Sequence, residues 1–109
     1  MSFDKAKLFS TKAQQERTIT ACGVTFPVYV RRLPAVDLRT FYAQVNHDDI
    51  RVRAEAGFEA MAKAIRNEDG SQFATVDEYR KMDSEAISAL MGAFSEVNAA
   101  KKDDDQGNA

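Results

Sequence analysis

Hydrophobic and polar residues alternate with a period of two between Arg17 and Arg32, which is typical of β-strands. The apolar positions of this stretch are Ile19, Ala21, Val24, Phe26, Val28 and Val30. Cys22 and Gly23 interrupt the alternation, so we expect a hairpin that turns there. Pro27 has no backbone N–H, and its strand is therefore predicted to be an edge strand or to carry a bulge.

Three later stretches repeat their apolar residues with the period of an α-helix. These residues are Leu38, Phe41, Tyr42 and Val45, then Phe58, Met61, Ala62 and Ile65, and finally Ile87, Leu90, Met91, Phe94 and Val97. They predict helices over about 34–45, 50–67 and 84–100, the last with a start signal at Asp83. Gly57 has no side chain and indicates a close approach between helices.

A shorter helix is predicted between the second and third of these. Asp69 and Gly70 form a strong turn dipeptide that ends the long helix. Thr75 and Glu78 have the spacing of a capping box, in which each side chain binds the other residue's backbone N–H. Phe73 is predicted to anchor the turn onto the helices.

Together these patterns predict an α+β protein with an N-terminal β-hairpin followed by about four helical segments, mainly helical. Residues 1–16 lack a clear period and are expected to form a partly mobile N-terminal arm. Residues 17–98 form the single predicted domain. Residues 99–109 are polar and poor in apolar side chains, so we expect a disordered tail.

The charge balance narrows the range of partners. The 109 residues include 15 Lys and Arg against 17 Asp and Glu, for a net charge of −2. Nucleic-acid-binding modules usually carry a basic excess, so no nucleic acid partner is expected. The chain contains no apolar run of the ~18–20 residues that a membrane span requires, and no apolar secretion signal. We therefore expect a soluble intracellular protein with no membrane partner.

The residues that usually carry catalysis or bind metals lack the necessary patterns. His47, the single histidine, stands beside Asp48 and Asp49 without the spacing of a metal site. Cys22, the single cysteine, cannot form an intramolecular disulfide and is predicted to be an inert thiol. The chain has no glycine-rich phosphate loop, nucleophile elbow or CxxC motif. We expect no catalytic, cofactor-binding or metal site, and no enzymatic activity.

Three features in order suggest a family. They are the strand-to-helix segment Val28–Asp37, the turn Asp69–Phe73 followed by Asp77 and Glu78, and the helix end Glu96–Asn98 before a polar tail. Over roughly residues 17–98 the chain resembles the tail assembly chaperones of long-tailed, siphophage-type bacteriophages. This resemblance implies a non-enzymatic protein that binds the tape measure protein and assists polymerisation of the major tail tube protein around it.

The resemblance also implies how such a protein works. Covering a long, apolar and largely helical tape measure protein requires many copies, so we expect self-association into an open oligomer. The predicted contact surfaces are the hairpin edge at Tyr29, Arg31 and Arg32, and the arm at Leu8 and Phe9. The expected location is the host cell cytoplasm, with the chaperone absent from the mature virion.

The family often makes a longer form by ribosomal frameshifting, and codons for Lys101 and Lys102 are a possible place for it. Two other functions remain open at this point. A structural head–tail connector subunit shares the size and the α+β composition. A small DNA-binding regulator could use residues 75–97 as a helix-turn-helix.

Overall fold

The computed structural model describes residues 4–9 and 13–99. Its regular elements are β1 (Gln14–Ala21), β2 (Val24–Arg31), α1 (Ala35–Val45), α2 (Ile50–Ala64), β3 (Ile65–Arg66), α3 (Val76–Lys81) and α4 (Ser84–Asn98). The predicted α+β class, with a hairpin followed by four helices, is confirmed. The predicted tail beyond residue 99, the proposed frameshift position and parts of the predicted arm lie outside the described residues.

The hairpin turns on two residues that both have positive φ. Cys22 has a φ of 54° and Gly23 a φ of 79°. Turns of this kind have a backbone twist that matches the twist of the flanking strands. The predicted turn position is confirmed, with Cys22 in the turn itself.

A third strand extends the sheet, in the order β1-β2-β3. The predicted helix over 50–67 is wrong at its end, because α2 stops at Ala64. Ile65 instead becomes extended and pairs with Val30, and both side chains are fully buried.

Pro27 causes no bulge, since the pairing of β1 with β2 runs without interruption and places Thr18 opposite Pro27. Ala21 and Val24 flank the two-residue turn and form a hydrogen-bonded pair. Along an antiparallel hairpin, hydrogen-bonded pairs alternate with pairs that are not hydrogen-bonded. Thr18–Pro27 therefore falls in the non-bonded class, where the missing N–H of Pro27 points away from β1. On that side β3 reaches only as far as Tyr29, so no described strand pairs beside Pro27.

Helix α4 packs against β1 and β2, and α2 packs against α4, α1 and α3. The core lies between the inner face of the sheet and these helices. The largest fully buried side chains are Val28, Val30, Met61, Ile65, Tyr79, Leu90 and Phe94. The apolar stripe of α4 is confirmed, since Leu90, Phe94 and Val97 are buried and Ile87 and Met91 pack against the core. Gly57 marks a close approach, since a Cβ there would lie 2.9 Å from the Met91 Cε of α4.

Helix α1 lies at the margin of this core. None of its residues is fully buried. Phe41 packs edge-on against Phe94 with ring centroids 5.4 Å apart. Tyr42, which the period placed on the same stripe, remains 47% exposed, so that assignment is wrong.

The turn before α3 is held by the sheet. The Phe73 ring stacks on Phe26 of β2 with centroids 6.2 Å apart, and Phe73 also packs against the core cluster to which the helices contribute. The capping box is confirmed: the Glu78 N–H donates to Thr75 Oγ1 at 3.1 Å, and the Thr75 N–H donates to Glu78 Oε1 at 2.8 Å. Asp83 caps α4 by accepting from the Glu85 N–H at 2.8 Å.

Candidate interaction surface

The outer face of the sheet carries polar side chains and lies opposite the core. Residues directly opposite each other in a hairpin share a face. The outer pairs are Gln14–Arg31, Glu16–Tyr29, Thr18–Pro27 and Thr20–Thr25. Val28 and Val30 point to the core, so these intervening residues form the opposite face.

One end of this face forms an open concavity of about 550 Å³. Its lining consists of Gln14, Tyr29, Arg31, Glu68, Asp69 and Gly70. Two of the predicted partner-binding residues, Tyr29 and Arg31, are thus brought together beside the loop that follows β3.

Tyr29 is half-buried at the centre of this region. It lies opposite Glu16 on β1 and Arg66 on β3. Desolvation raises the pKa of the Tyr29 phenol, and the carboxylates of Glu16 and Glu68 raise it further. The phenol therefore stays neutral and can both donate and accept hydrogen bonds at neutral pH.

Arg31 holds the loop against the sheet. Its Nη2 donates to the Gly70 carbonyl oxygen at 3.2 Å. The Arg31 Nε and the Gln14 Oε1 are buried and have no hydrogen-bond partner in the described part of the chain. The Gln14 Nε2 donates to the carbonyl oxygens of Asn67 and Glu68, each at 3.4 Å. The concavity is thus built by contacts between β1, β2 and this loop.

Arg32 does not belong to the concavity. Its Nη1 donates to the Val97 carbonyl oxygen at 2.8 Å. This bond satisfies a carbonyl at the C-terminal end of α4, where a cation is favourable. The Arg32 guanidinium is therefore already hydrogen-bonded within the protein.

Leu8 and Phe9 form an exposed apolar pair in the arm. Leu8 is 73% exposed and Phe9 is 66% exposed. They end a short 3-10 turn in which Asp4 Oδ1 accepts from the Ala6 N–H at 3.1 Å. Within residues 4–9 and 13–99, no hydrogen bond or ring contact joins this pair to the concavity.

The free edge of the hairpin is not where we predicted it. The edge of β2 at Tyr29 is already paired with Arg66 of β3. The outer edge of β1 has no pairing strand among the described residues. The prediction of an open strand edge is therefore wrong at Tyr29. The contact of Tyr29, Arg31 and Arg32 with a partner stays a prediction.

Sequence reasoning missed Gln14 and Glu68 as members of this surface. The turn at Asp69 and Gly70 was visible in the sequence, but the predicted α2 ran too far to place it beside the sheet. The strand register supplies the missing signal, since it sets Gln14 directly opposite Arg31.

The candidate reactive residues lie at the surface. His47 Nδ1 accepts from the Asp49 N–H at 2.9 Å, which forms a tight turn before α2. The exposed Cys22 thiol lies within 4.8 Å of carboxylate oxygens of Asp83 and Glu85. Asp83 already caps α4, and exposed acidic groups of this kind do not by themselves make a metal site.

The segment considered as a helix-turn-helix has an unsuitable second helix. Helix α4 contains no Lys or Arg, and it carries Glu85 and Glu96. A recognition helix approaches phosphate groups and normally brings basic side chains to them. This composition weighs against the DNA-binding alternative.

Comparison of the chain with known protein families, curated proteins and solved structures finds no match in any of the three. None of the helices in the described part of the chain is long and apolar enough to cross a membrane.

Proposed function

We propose that this protein is a phage tail assembly chaperone that binds the tape measure protein and assists tail-tube polymerisation without enzymatic activity. The ordered motifs of residues 17–98 suggest the family. The observation that carries the proposal is the adjacent, exposed pair Leu8 and Phe9. Scattered apolar residues are ordinary on protein surfaces, but two adjacent large side chains on an arm outside the core suit an apolar partner.

The chemistry of the expected partner fits this surface. A long apolar helix aggregates unless its apolar stripe is covered, and a small domain can cover it with a few apolar side chains on a mobile or adaptable segment. The concavity at Tyr29 and Arg31 adds hydrogen-bonding groups that would contact polar residues beside the stripe. Many copies along one helix would form an open assembly.

The proposal is tested by co-expression with the long helical protein encoded next to it in the phage genome, followed by affinity purification. We expect the two proteins to co-purify. The variant L8S/F9S should lower the recovered partner at least tenfold. The control V36S/I50S also replaces two exposed apolar residues, each 68% exposed, and should recover as much partner as the wild type.

Failure of the wild-type protein to capture the partner would contradict the proposal. Equal loss of capture with both double variants would mean that capture does not depend specifically on the arm. Detection of this protein in purified virions would instead favour the head–tail connector, since a chaperone leaves before the virion matures.

A further inference from the structure

The outer edge of β1 is eight residues long, and no described strand pairs with it. An unpaired edge offers a row of backbone donors and acceptors to another strand. Proteins often guard such edges with proline or a bulge, as Pro27 does on the far side of β2. Strand β1 has neither.

The register fixes which backbone groups face outward. Ala21 and Val24 close the two-residue turn as a hydrogen-bonded pair, and the alternation makes Ile19, Arg17 and Gln15 bond to β2 as well. The even-numbered residues therefore direct their N–H and C=O groups to the free edge. These residues are Gln14, Glu16, Thr18 and Thr20.

The side chain of Arg17 contacts a backbone group of this edge. Arg17 forms an ion pair with Glu96 of α4 on the core side, and its Nη1 donates to the Glu16 carbonyl oxygen at 3.0 Å. A carbonyl oxygen has two lone pairs, so Glu16 can accept a second hydrogen bond. Thr18 and Thr20 are exposed on the outer face.

We propose that β1 pairs antiparallel with β1 of a second copy, about a two-fold axis at Thr18. The sequence of the edge selects this register. A two-fold axis at Glu16 would place Glu16 opposite itself, and one at Arg17 would place Arg17 opposite itself, both unfavourable like-charge pairs.

An axis at Thr18 pairs residues 15–21 with their counterparts and opposes no like charges. Glu16 then lies opposite Thr20, and Arg17 lies opposite Ile19. The two Thr18 side chains meet on the outer face, and Thr–Thr cross-strand pairs are favourable there. Axes at Ile19 or Thr20 also avoid like charges but pair fewer residues.

The resulting dimer has one continuous six-stranded sheet with the helices of both copies on the same side. Its contact is closed, because a two-fold interface uses the same patch on both copies. An open assembly of the proposed chaperone would therefore need a second surface, such as the arm. The dimer inference rests on the strand edge alone and does not depend on the proposed function.

The test uses the full chain with Cys22 replaced, as T18C/C22S. In a hydrogen-bonded antiparallel pair the Cα atoms lie about 5.5 Å apart, which is within the range that a disulfide spans. The matched control T25C/C22S places the thiol on the outer face of β2, away from the free edge. We expect T18C/C22S to crosslink at least tenfold faster under mild oxidation, and the wild type to double its light-scattering mass as concentration rises.

A charge exchange provides a second measurement in case the cysteine variants fold poorly. T18K alone and T18E alone should each weaken the dimer at least tenfold, and an equimolar mixture should restore it. A wild-type protein that stays monomeric at millimolar concentration would overturn the proposal. So would equal crosslinking of the two cysteine variants, or a mixture no more dimeric than its components.

Discussion

The side-chain amide of Asn98, at the end of α4, binds the backbone of Leu33, which lies between β2 and α1. Asn98 Oδ1 accepts from the Leu33 N–H at 2.7 Å. Its Nδ2 donates to the carbonyl oxygens of Arg31 at 3.0 Å and of Phe94 at 3.3 Å. Asn98 is only 3% exposed, so one amide side chain satisfies three backbone groups and fixes the last helix to the strand-to-helix junction.

Replacing this amide should be costly. N98A leaves the buried Leu33 N–H and the Arg31 carbonyl without their partner, so we expect the free energy of unfolding to fall by about 2–4 kcal/mol. Urea unfolding followed by circular dichroism measures it. Asn46 makes a comparable bond at the surface, from its Nδ2 to the Tyr42 carbonyl oxygen at 3.0 Å, and N46A should cost less than about 1 kcal/mol. Equal losses of stability in the two variants would contradict the claim that the Asn98 amide stabilises the fold by bonding buried backbone groups.

Tyr79 should tolerate loss of its hydroxyl. The side chain is fully buried and its hydroxyl has no hydrogen-bond partner among the described residues. Burial raises the pKa of the Tyr79 phenol far above its ordinary value of 10. Because an unpaired buried hydroxyl is unfavourable, Y79F should raise the free energy of unfolding by about 0.5–1 kcal/mol. The exposed Tyr42 provides the control Y42F, which should change stability by less than about 0.5 kcal/mol; a clear loss in Y79F would reveal a hydrogen bond to the Tyr79 hydroxyl.

Two helical glycines should respond differently to alanine. A Cβ placed on Gly92 in α4 would have no atom within 4 Å, so G92A should stabilise the fold by about 1 kcal/mol through helix propensity. At Gly57 the Cβ would meet the Met91 Cε at 2.9 Å. The methionine terminus is flexible and can rotate away, so G57A should stabilise the fold by about 0.5 kcal/mol. Thermal unfolding of both variants measures the difference; a larger gain for G57A than for G92A would contradict the close approach of α2 to α4.

The ion pair between α2 and α3 should make stability depend on pH. Arg80 Nε and Nη2 each donate to a Glu55 carboxylate oxygen at 2.7 Å. The hydrogen bonds from Arg80 hold the pKa of Glu55 below its ordinary value of 4.5. A depressed carboxyl pKa stabilises the fold above the unfolded value, and the contribution is lost as pH falls through the folded value.

The stability difference between wild type and E55Q should therefore be largest near neutral pH and shrink on acidification below pH 4.5. Urea unfolding across this range measures it. R80Q should reduce the pH dependence of the free energy of unfolding as much as E55Q does. The double variant E55Q/R80Q should have the same pH dependence as E55Q alone. A constant offset between wild type and E55Q at every pH would mean that the pair does not shift the Glu55 pKa.

Local signals in the sequence were sufficient where a few neighbouring residues decide the structure. The capping box at Thr75 and the turn at Cys22 and Gly23 are of this kind. The end of α2 could not be predicted, because helical periodicity continues through Ile65 and only the pairing with Val30 stops it. The ring contact of Phe73 could not be predicted either, because its partner Phe26 lies on a strand far away in the sequence.

The motifs behind the family resemblance meet in space. Segment Val28–Asp37 binds the turn through the Arg31–Gly70 contact and binds the end of α4 through Leu33 and Asn98. Their order along the chain therefore reflects one packing unit, which holds the strand-to-helix junction. Tyr29 and Arg31 of the concavity lie inside the first of these motifs. The arm and the edge of β1, where we place the other contacts, lie outside all three.

The most direct test of the proposed function is the solubility of the tape measure protein expressed with and without this chain. After lysis and high-speed centrifugation, the supernatant fraction of the tape measure protein is measured by quantitative immunoblot. We predict that it is largely soluble when co-expressed with this protein and largely pelleted without it. An equal pelleted fraction in both cases would contradict the chaperone function.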